Sequence, residues 1–174
     1  MNNGQVLVAG GFSNGNTVAT AEIYDPSTGV WSVTGSMNTP RYHHTMLLLP
    51  DGEVLVAGGI DNADNFLASS ELYNPGSGTW SLTGSMQFPR ANHIMVLLSN
   101  GKVLVAGGQG TQQFSALASA ELYDPTAGTW QKTDSMYNTR VYHTATVLPD
   151  GQVLVAGGLD TNFSTLSSAE LYTP

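Results

Sequence analysis

Three residue types recur in a pattern that could support chemistry. All three arginines, Arg41, Arg90 and Arg140, occupy one place in a repeating pattern, and a histidine follows each by three residues, at His44, His93 and His143. His43 stands beside His44, and a glutamate recurs four times, at Glu22, Glu71, Glu121 and Glu170. Imidazoles ringing a channel would suit zinc or copper. A shared metal needs ligands converging to about 2 Å, and equivalent places on separate units hold them apart. A charge repeated in every unit is better suited to joining units, because buried charges need partners. Arg41, Arg90 and Arg140 are therefore expected to pair with the glutamates or with backbone carbonyls. His44, His93 and His143 are expected to belong to the scaffold.

Other chemistry is poorly served. The absence of cysteine excludes disulfides, thiolate metal sites and cysteine nucleophiles. No Gly-x-Ser-x-Gly elbow is present, and the Gly-Gly pairs end strand-like runs instead of opening a helix, so no phosphate cradle follows. Asp61-Asn62-Ala63-Asp64-Asn65 lacks the glycine and terminal acid of a calcium loop and reads as a polar loop. The net charge is −8, and Lys102 and Lys132 are the only lysines. That excludes nucleic acid and anionic membrane surfaces as partners. No apolar run approaches the ~18 residues of a membrane span, and the first residues lack a signal layout. The scarcity of lysine and the polar composition favour a secreted or cell-surface setting.

A repeat positions these residues. Val-Leu-Val-Ala-Gly-Gly occurs four times, ending at Gly11, Gly59, Gly108 and Gly158. A period of this size marks one structural unit used several times. Each unit has four strand-like runs. The first ends at a turn such as Pro50-Asp51-Gly52 or Ser99-Asn100-Gly101, a hairpin signal. The second, Val-Leu-Val-Ala, is continuously apolar and predicts a strand buried on both faces. The third contains Glu22-Ile23-Tyr24 or its equivalents and closes on a proline. The fourth carries Trp31, Trp80 or Trp130 after a turn glycine. No segment shows a helical period.

Gly-Gly after the second strand, Glu-x-Tyr-Asp-Pro in the third, Gly-Thr-Trp in the fourth and Ser-Met-x-x-Pro-Arg beyond it resemble the Kelch repeats over nearly the whole chain. The resemblance implies an all-β fold, a β-propeller of four-stranded antiparallel blades. About 3.5–4 blades and 14 strands are expected: a partial blade over 4–37, full blades over 38–86 and 87–136, and a partial blade over 137–174. Because the frame starts and stops inside a blade, the ring is expected to close by self-association, as a dimer, or to belong to a larger propeller. Non-enzymatic binding or scaffolding is the role implied, with a purely structural half-ring as one alternative. A second resemblance supplies another. Arg140-Val141-Tyr142-His143-Thr144, followed by Leu148-Pro149-Asp150-Gly151, is similar to the copper-ligand blade of galactose oxidase and related copper-radical oxidases. It implies Tyr142 and His143 as metal ligands. That family also needs a further histidine and a Tyr–Cys cross-link, which a chain without cysteine lacks. No catalytic residue and no cofactor are therefore expected.

Departures from the repeat show where function would lie. The distance from each third-strand glutamate to the next second glycine is constant at 37 residues. From that glycine to the next glutamate it is 11, 12, 13 and 12 residues. All the variation sits in the connection between second and third strands, at 12–19, 60–68, 109–118 and 159–167. Loops of one kind share one face of a propeller, often the binding face. The ligand-facing candidates are Phe12, Asn14, Asn16, Asp61, Asn62, Asp64, Phe66, Gln112, Gln113, Phe114, Asp160, Asn162 and Phe163. The loop phenylalanines are expected to anchor the loops on the blades. The ligand classes this face would suit are protein and glycan.

Overall fold

A computed structural model describes residues 1–111 and 115–174. Among the described residues there are sixteen β-strands and no helix. In chain order they are β1 (Val6–Ala9), β2 (Phe12–Ser13), β3 (Asn16–Thr17), β4 (Ala21–Asp25), β5 (Val30–Thr34), β6 (Thr45–Leu48), β7 (Val54–Ala57) and β8 (Ser70–Asn74). There follow β9 (Thr79–Thr83), β10 (Ile94–Leu97), β11 (Val103–Ala106), β12 (Ala120–Asp124), β13 (Thr129–Thr133), β14 (Thr144–Val147), β15 (Val153–Ala156) and β16 (Ala169–Tyr172). Four antiparallel sheets, β1-β4-β5, β6-β7-β8-β9, β10-β11-β12-β13 and β14-β15-β16, are blades of a partial propeller.

Two features differ from the sequence expectation. The first is β2-β3, a small hairpin within the segment read as a loop. Its turn is Asn14-Gly15, with φ of 51° and 81°, and paired positive φ is what a tight two-residue hairpin demands. The second is burial of the Val-Leu-Val-Ala strands. β7 and β11 are wholly buried, as their uninterrupted apolar sequence predicts. In β1, by contrast, Val6 and Val8 are 48% and 47% exposed. The two valines of the strand are buried where a preceding sheet packs on their side, as on β7, β11 and β15, and β1 has no preceding sheet.

The sheets are joined by one set of contacts used repeatedly. The amides of Gly11, Gly59 and Gly108 donate to the carbonyls of Arg41, Arg90 and Arg140 at 2.8–2.9 Å. The indole of Trp80 donates to the Gly35 carbonyl at 2.8 Å, and that of Trp130 to Gly84 at 3.0 Å. Tyr73, Tyr123 and Tyr172 share hydroxyl hydrogen bonds with Thr34, Thr83 and Thr133 on the preceding sheet. At Gly10, Gly58 and Gly107, the first glycine of three of the pairs, there is no room for a side chain. At Gly58, φ is +67°, and a Cβ would strike the Arg90 carbonyl oxygen and the His93 ring.

Candidate functional site

Each inner strand begins, and each second-to-third-strand connection lies, at the same end of the propeller. Backbone bridges hold them together: Tyr42 to Ile60, Ala91 to Gln109 and Val141 to Leu159. This end is the loop face.

Beneath it lie the repeated charges. Arg41 Nη1 donates to the carbonyls of Gly58 and Ser69, and Nη2 reaches Glu71 at 2.9 Å. Glu71 also accepts the amides of Asn38 and Thr39 at 2.7 and 3.0 Å. Burial pushes the Glu71 carboxyl up, but the Asn38 donors and the Arg41 guanidinium outweigh it and hold the group below its ordinary range. Arg90–Glu121 and Arg140–Glu170 repeat the arrangement at 2.9 and 2.7 Å. The arginines are 0% exposed and form the floor of the face, not its surface. Among the described residues, Glu22 has no ion-pair partner.

The histidines are wedges between sheets. The rings of His44, His93 and His143 lie against Gly10, Gly58 and Gly107 of the preceding sheet. Burial, then the charge of Arg41 or Arg140, pushes the pKa of His44 and of His143 down to about 4. His93 is pushed down by burial and by Arg90. These imidazoles are neutral spacers near pH 7.

Tyr142 and His143, the implied copper ligands, are adjacent but differ in surroundings. His143 is buried, while Tyr142 is 57% exposed, its hydroxyl 3.4 Å from Asn92 Nδ2. Among the described residues no three of His, Asp and Glu gather closely enough to hold an ion.

The face itself is built from short loops with one shared design. Asp61 Oδ1 accepts the amides of Ala63 and Asn65, and Asp160 Oδ1 accepts those of Asn162 and Ser164. Each aspartate thereby folds its own loop, and Asp64 and Phe163 close the two loops in left-handed conformation at φ 59° and 58°. Asn14, Asn16, Asn62, Asp64 and Asn162 are exposed, and Asp61, Asp160 and Phe66 are half-buried. Phe12 and Phe163 are 62% and 50% exposed, more than rings anchored on a blade would be, and the Phe12 ring meets that of Tyr42 at 5.4 Å. Gln112, Gln113 and Phe114 lie outside the described residues.

The structure adds a row of residues that the loop reading missed. His43, Asn92 and Tyr142 immediately precede the buried histidines, at φ 55°, 53° and 57°. Each grips its neighbour through the backbone: Asn92 N donates to His43 O at 3.0 Å, and Tyr142 N to Asn92 O at 3.4 Å. Tyr42 joins the row, its ring 5.4 Å from Phe12 and 4.7 Å from His43. Among the described residues, all six non-glycine residues at positive φ lie on this face: Asn14, His43, Asp64, Asn92, Tyr142 and Phe163. One signal was present in the sequence. In the three Arg-x-x-His stretches the outer residues are constant and the inner pair varies, as Tyr42-His43, Ala91-Asn92 and Val141-Tyr142.

A family model described as Kelch motif matches residues 2–38 and 40–87. The chain is similar to the Influenza virus NS1A-binding protein homolog of Mus musculus, with 40% identity over 57 residues, 33% of this chain and 9% of that protein. The Xenopus laevis homolog is 33% identical over 63 residues, 36% of this chain and 10% of that protein. The Homo sapiens protein is 39% identical over 57 residues, 33% of this chain and 9% of that protein. The matched stretch spans at most a tenth of these relatives' own length.

Proposed function

We propose that this chain, which carries Kelch motifs over residues 2–38 and 40–87, is a non-enzymatic binding module whose loop face holds a protein ligand. The concentration of backbone strain on that face carries this reading. Non-glycine residues in left-handed conformation cost about 1–3 kcal/mol each and gather where function needs a side chain held in place. Asparagine and aspartate tolerate this conformation well, but Tyr142 and Phe163 do not, and both are half-exposed or more. The Tyr142 amide donates to the Asn92 carbonyl at 3.4 Å, so the backbone holds the residue in place and its ring is displayed at the surface. The relatives are named for binding influenza virus NS1A, which supports protein as the ligand class.

Photo-cross-linking tests the proposal. A benzophenone side chain at position 142 or 43 is expected to form discrete protein adducts in an extract of the producing organism. The same group at position 100, in the turn at the other end, is not. Unlabelled chain should compete, and chain carrying His43→Ser and Tyr142→Ser should not. Equal adducts from all three positions would sink the reading. A saturable glycan-array signal lost in the same variant, with no protein adduct, would replace protein by glycan.

Self-association is a second reading with its own observation. Trp31 is 50% exposed at the place where Trp80 and Trp130 are seated against a preceding sheet. A second copy offering its β14-β15-β16 sheet would cover Trp31, Val6 and Val8. Sedimentation velocity decides it: a mass of 18.3 kDa at all concentrations rejects a dimer.

A further inference from the structure

The protein-binding reading of the loop face, on which this inference rests, leaves open what chemistry the face selects. Where the first two sheets meet, two loops are tied together. Thr17 N donates to Asn62 Oδ1 at 3.1 Å, joining the β2-β3 hairpin to the next loop. The rings of Phe12 and Tyr42 meet at 5.4 Å with a tilt of 50°. The Tyr42 hydroxyl donates to Asp64 Oδ1 at 3.5 Å, and burial followed by the Asp64 charge raises the Tyr42 pKa. The His43 ring also meets Tyr42, with ring centroids 4.7 Å apart and a tilt of 47°. The result is an exposed corner of aromatic faces beside a carboxylate.

Among the described residues, no arginine or lysine pairs with a group of that corner. All five are placed: Arg41, Arg90 and Arg140 are buried with their glutamates. Lys102 lies 3.5 Å from Asp124, beside the β10–β11 turn at the opposite end. Lys132 stands on β13, opposite Glu121 in the β12–β13 register. The opposite end is acidic too, through Asp51 and Asp150, but its turns, Pro50-Asp51-Gly52 and Pro149-Asp150-Gly151, carry no aromatic residue. Acidity alone therefore does not set the corner apart. The pairing of ring faces with an exposed carboxylate does, because it is the combination that recognises a cationic side chain. A planar guanidinium, able to stack on the rings and hydrogen-bond a carboxylate at once, fits better than an ammonium.

We propose that the corner formed by Phe12, Tyr42, His43 and Asp64 receives an arginine side chain from a basic segment of the protein partner. The test is an amide NMR titration of the whole chain with three dodecapeptides on one Gly/Ser framework, bearing arginine, its neutral isostere citrulline, or glutamate. The arginine peptide is expected to shift the amides of residues 12, 42, 43 and 64, and to weaken as salt rises from roughly 50 to 300 mM. Asp64→Asn and Tyr42→Ala should each reduce its affinity by about 3- to 10-fold, with an unchanged melting temperature as the folding control. Asp51→Asn should leave affinity unaltered.

Equal binding of the citrulline peptide at the corner would overturn the charge inference while leaving the loop-face reading intact. Shifts confined to the turns around Asp51 and Asp150 would overturn it as well. So would the absence of any shift up to about 1 mM, a concentration at which contacts worth about 4 kcal/mol register. The cross-linking experiment reports on the loop-face reading independently.

Discussion

Nη2 of Arg90 lies 2.9 Å from Oε1 of Glu121, and neither side chain has exposed surface. The carboxylate also accepts the amides of Gln87 and Phe88 at 2.7 and 3.1 Å, so the pair fastens the segment that crosses from one sheet to the next. Arg90→Met leaves Glu121 buried without its cation. Breaking a buried pair in this way costs about 3–5 kcal/mol. The urea midpoint should fall accordingly, and Glu121→Gln in the same background should recover part of the loss. A loss below about 1 kcal/mol would show that the crossing segment is held by other contacts.

Stability should decline in mild acid. The pKa values of His44 and His143, about 4 in the folded chain, lie below the ordinary value of 6.5. The unfolded chain therefore takes up these protons first. The stabilising contribution is complete above pH 6.5 and drains away as pH falls from 6.5 toward 4. Glu71 and Glu170 are held below their ordinary 4.5, which adds a further loss as pH falls through that value. Melting temperature against pH should show the first decline between pH 6.5 and 4, and His143→Gln should flatten it. A melting temperature constant over that range would contradict the wedge role of the imidazoles.

Two glycines of similar φ should respond differently to alanine. Gly15, at φ +81°, has open space where a Cβ would go, so Gly15→Ala carries only the backbone strain of about 1–2 kcal/mol. Gly58, at φ +67°, adds a collision with the Arg90 carbonyl oxygen. Gly58→Ala should exceed about 3 kcal/mol or prevent folding. Chemical denaturation of the two variants side by side checks the contrast, and equal losses would mean that the sheet junction yields easily.

Tyr142→Asn separates stability from binding. Asparagine adopts φ near +57° with less strain than tyrosine. The variant should melt no lower than the parent, and up to about 1 kcal/mol more stable is expected. Cross-linked adducts from position 43 should weaken. A lower melting temperature would instead make Tyr142 a packing residue.

The legible parts of this molecule are those that follow from rules acting within one repeat. Val54 to Ala57 read as a buried strand because an unbroken apolar run has no solvent side. The partnership of Arg41 and Glu71 follows because a buried charge must be paired. What stayed hidden depends on neighbours. Val6 and Val8 repeat the residues of β7, yet stand half-exposed because no preceding sheet covers their side of β1. The left-handed backbone of His43 and Tyr142 is written in neither residue. It is set by amide and carbonyl groups on adjacent sheets, about fifty residues away in sequence. The β2-β3 hairpin is legible in principle, since Asn14-Gly15 is a turn signal, but its strands of two residues each are too short to show an alternating pattern.

The backbone handclasps between His43, Asn92 and Tyr142 have an evolutionary consequence. Main-chain atoms of adjacent sheets fix the frame at these places, so the side chains contribute little to holding it. The same frame already displays an imidazole, an amide and a phenol. Exchanging one for another alters what the surface presents while the hydrogen bonds beneath it persist. New specificity could arise by single substitutions in this row, with the ancestral fold carried along unchanged.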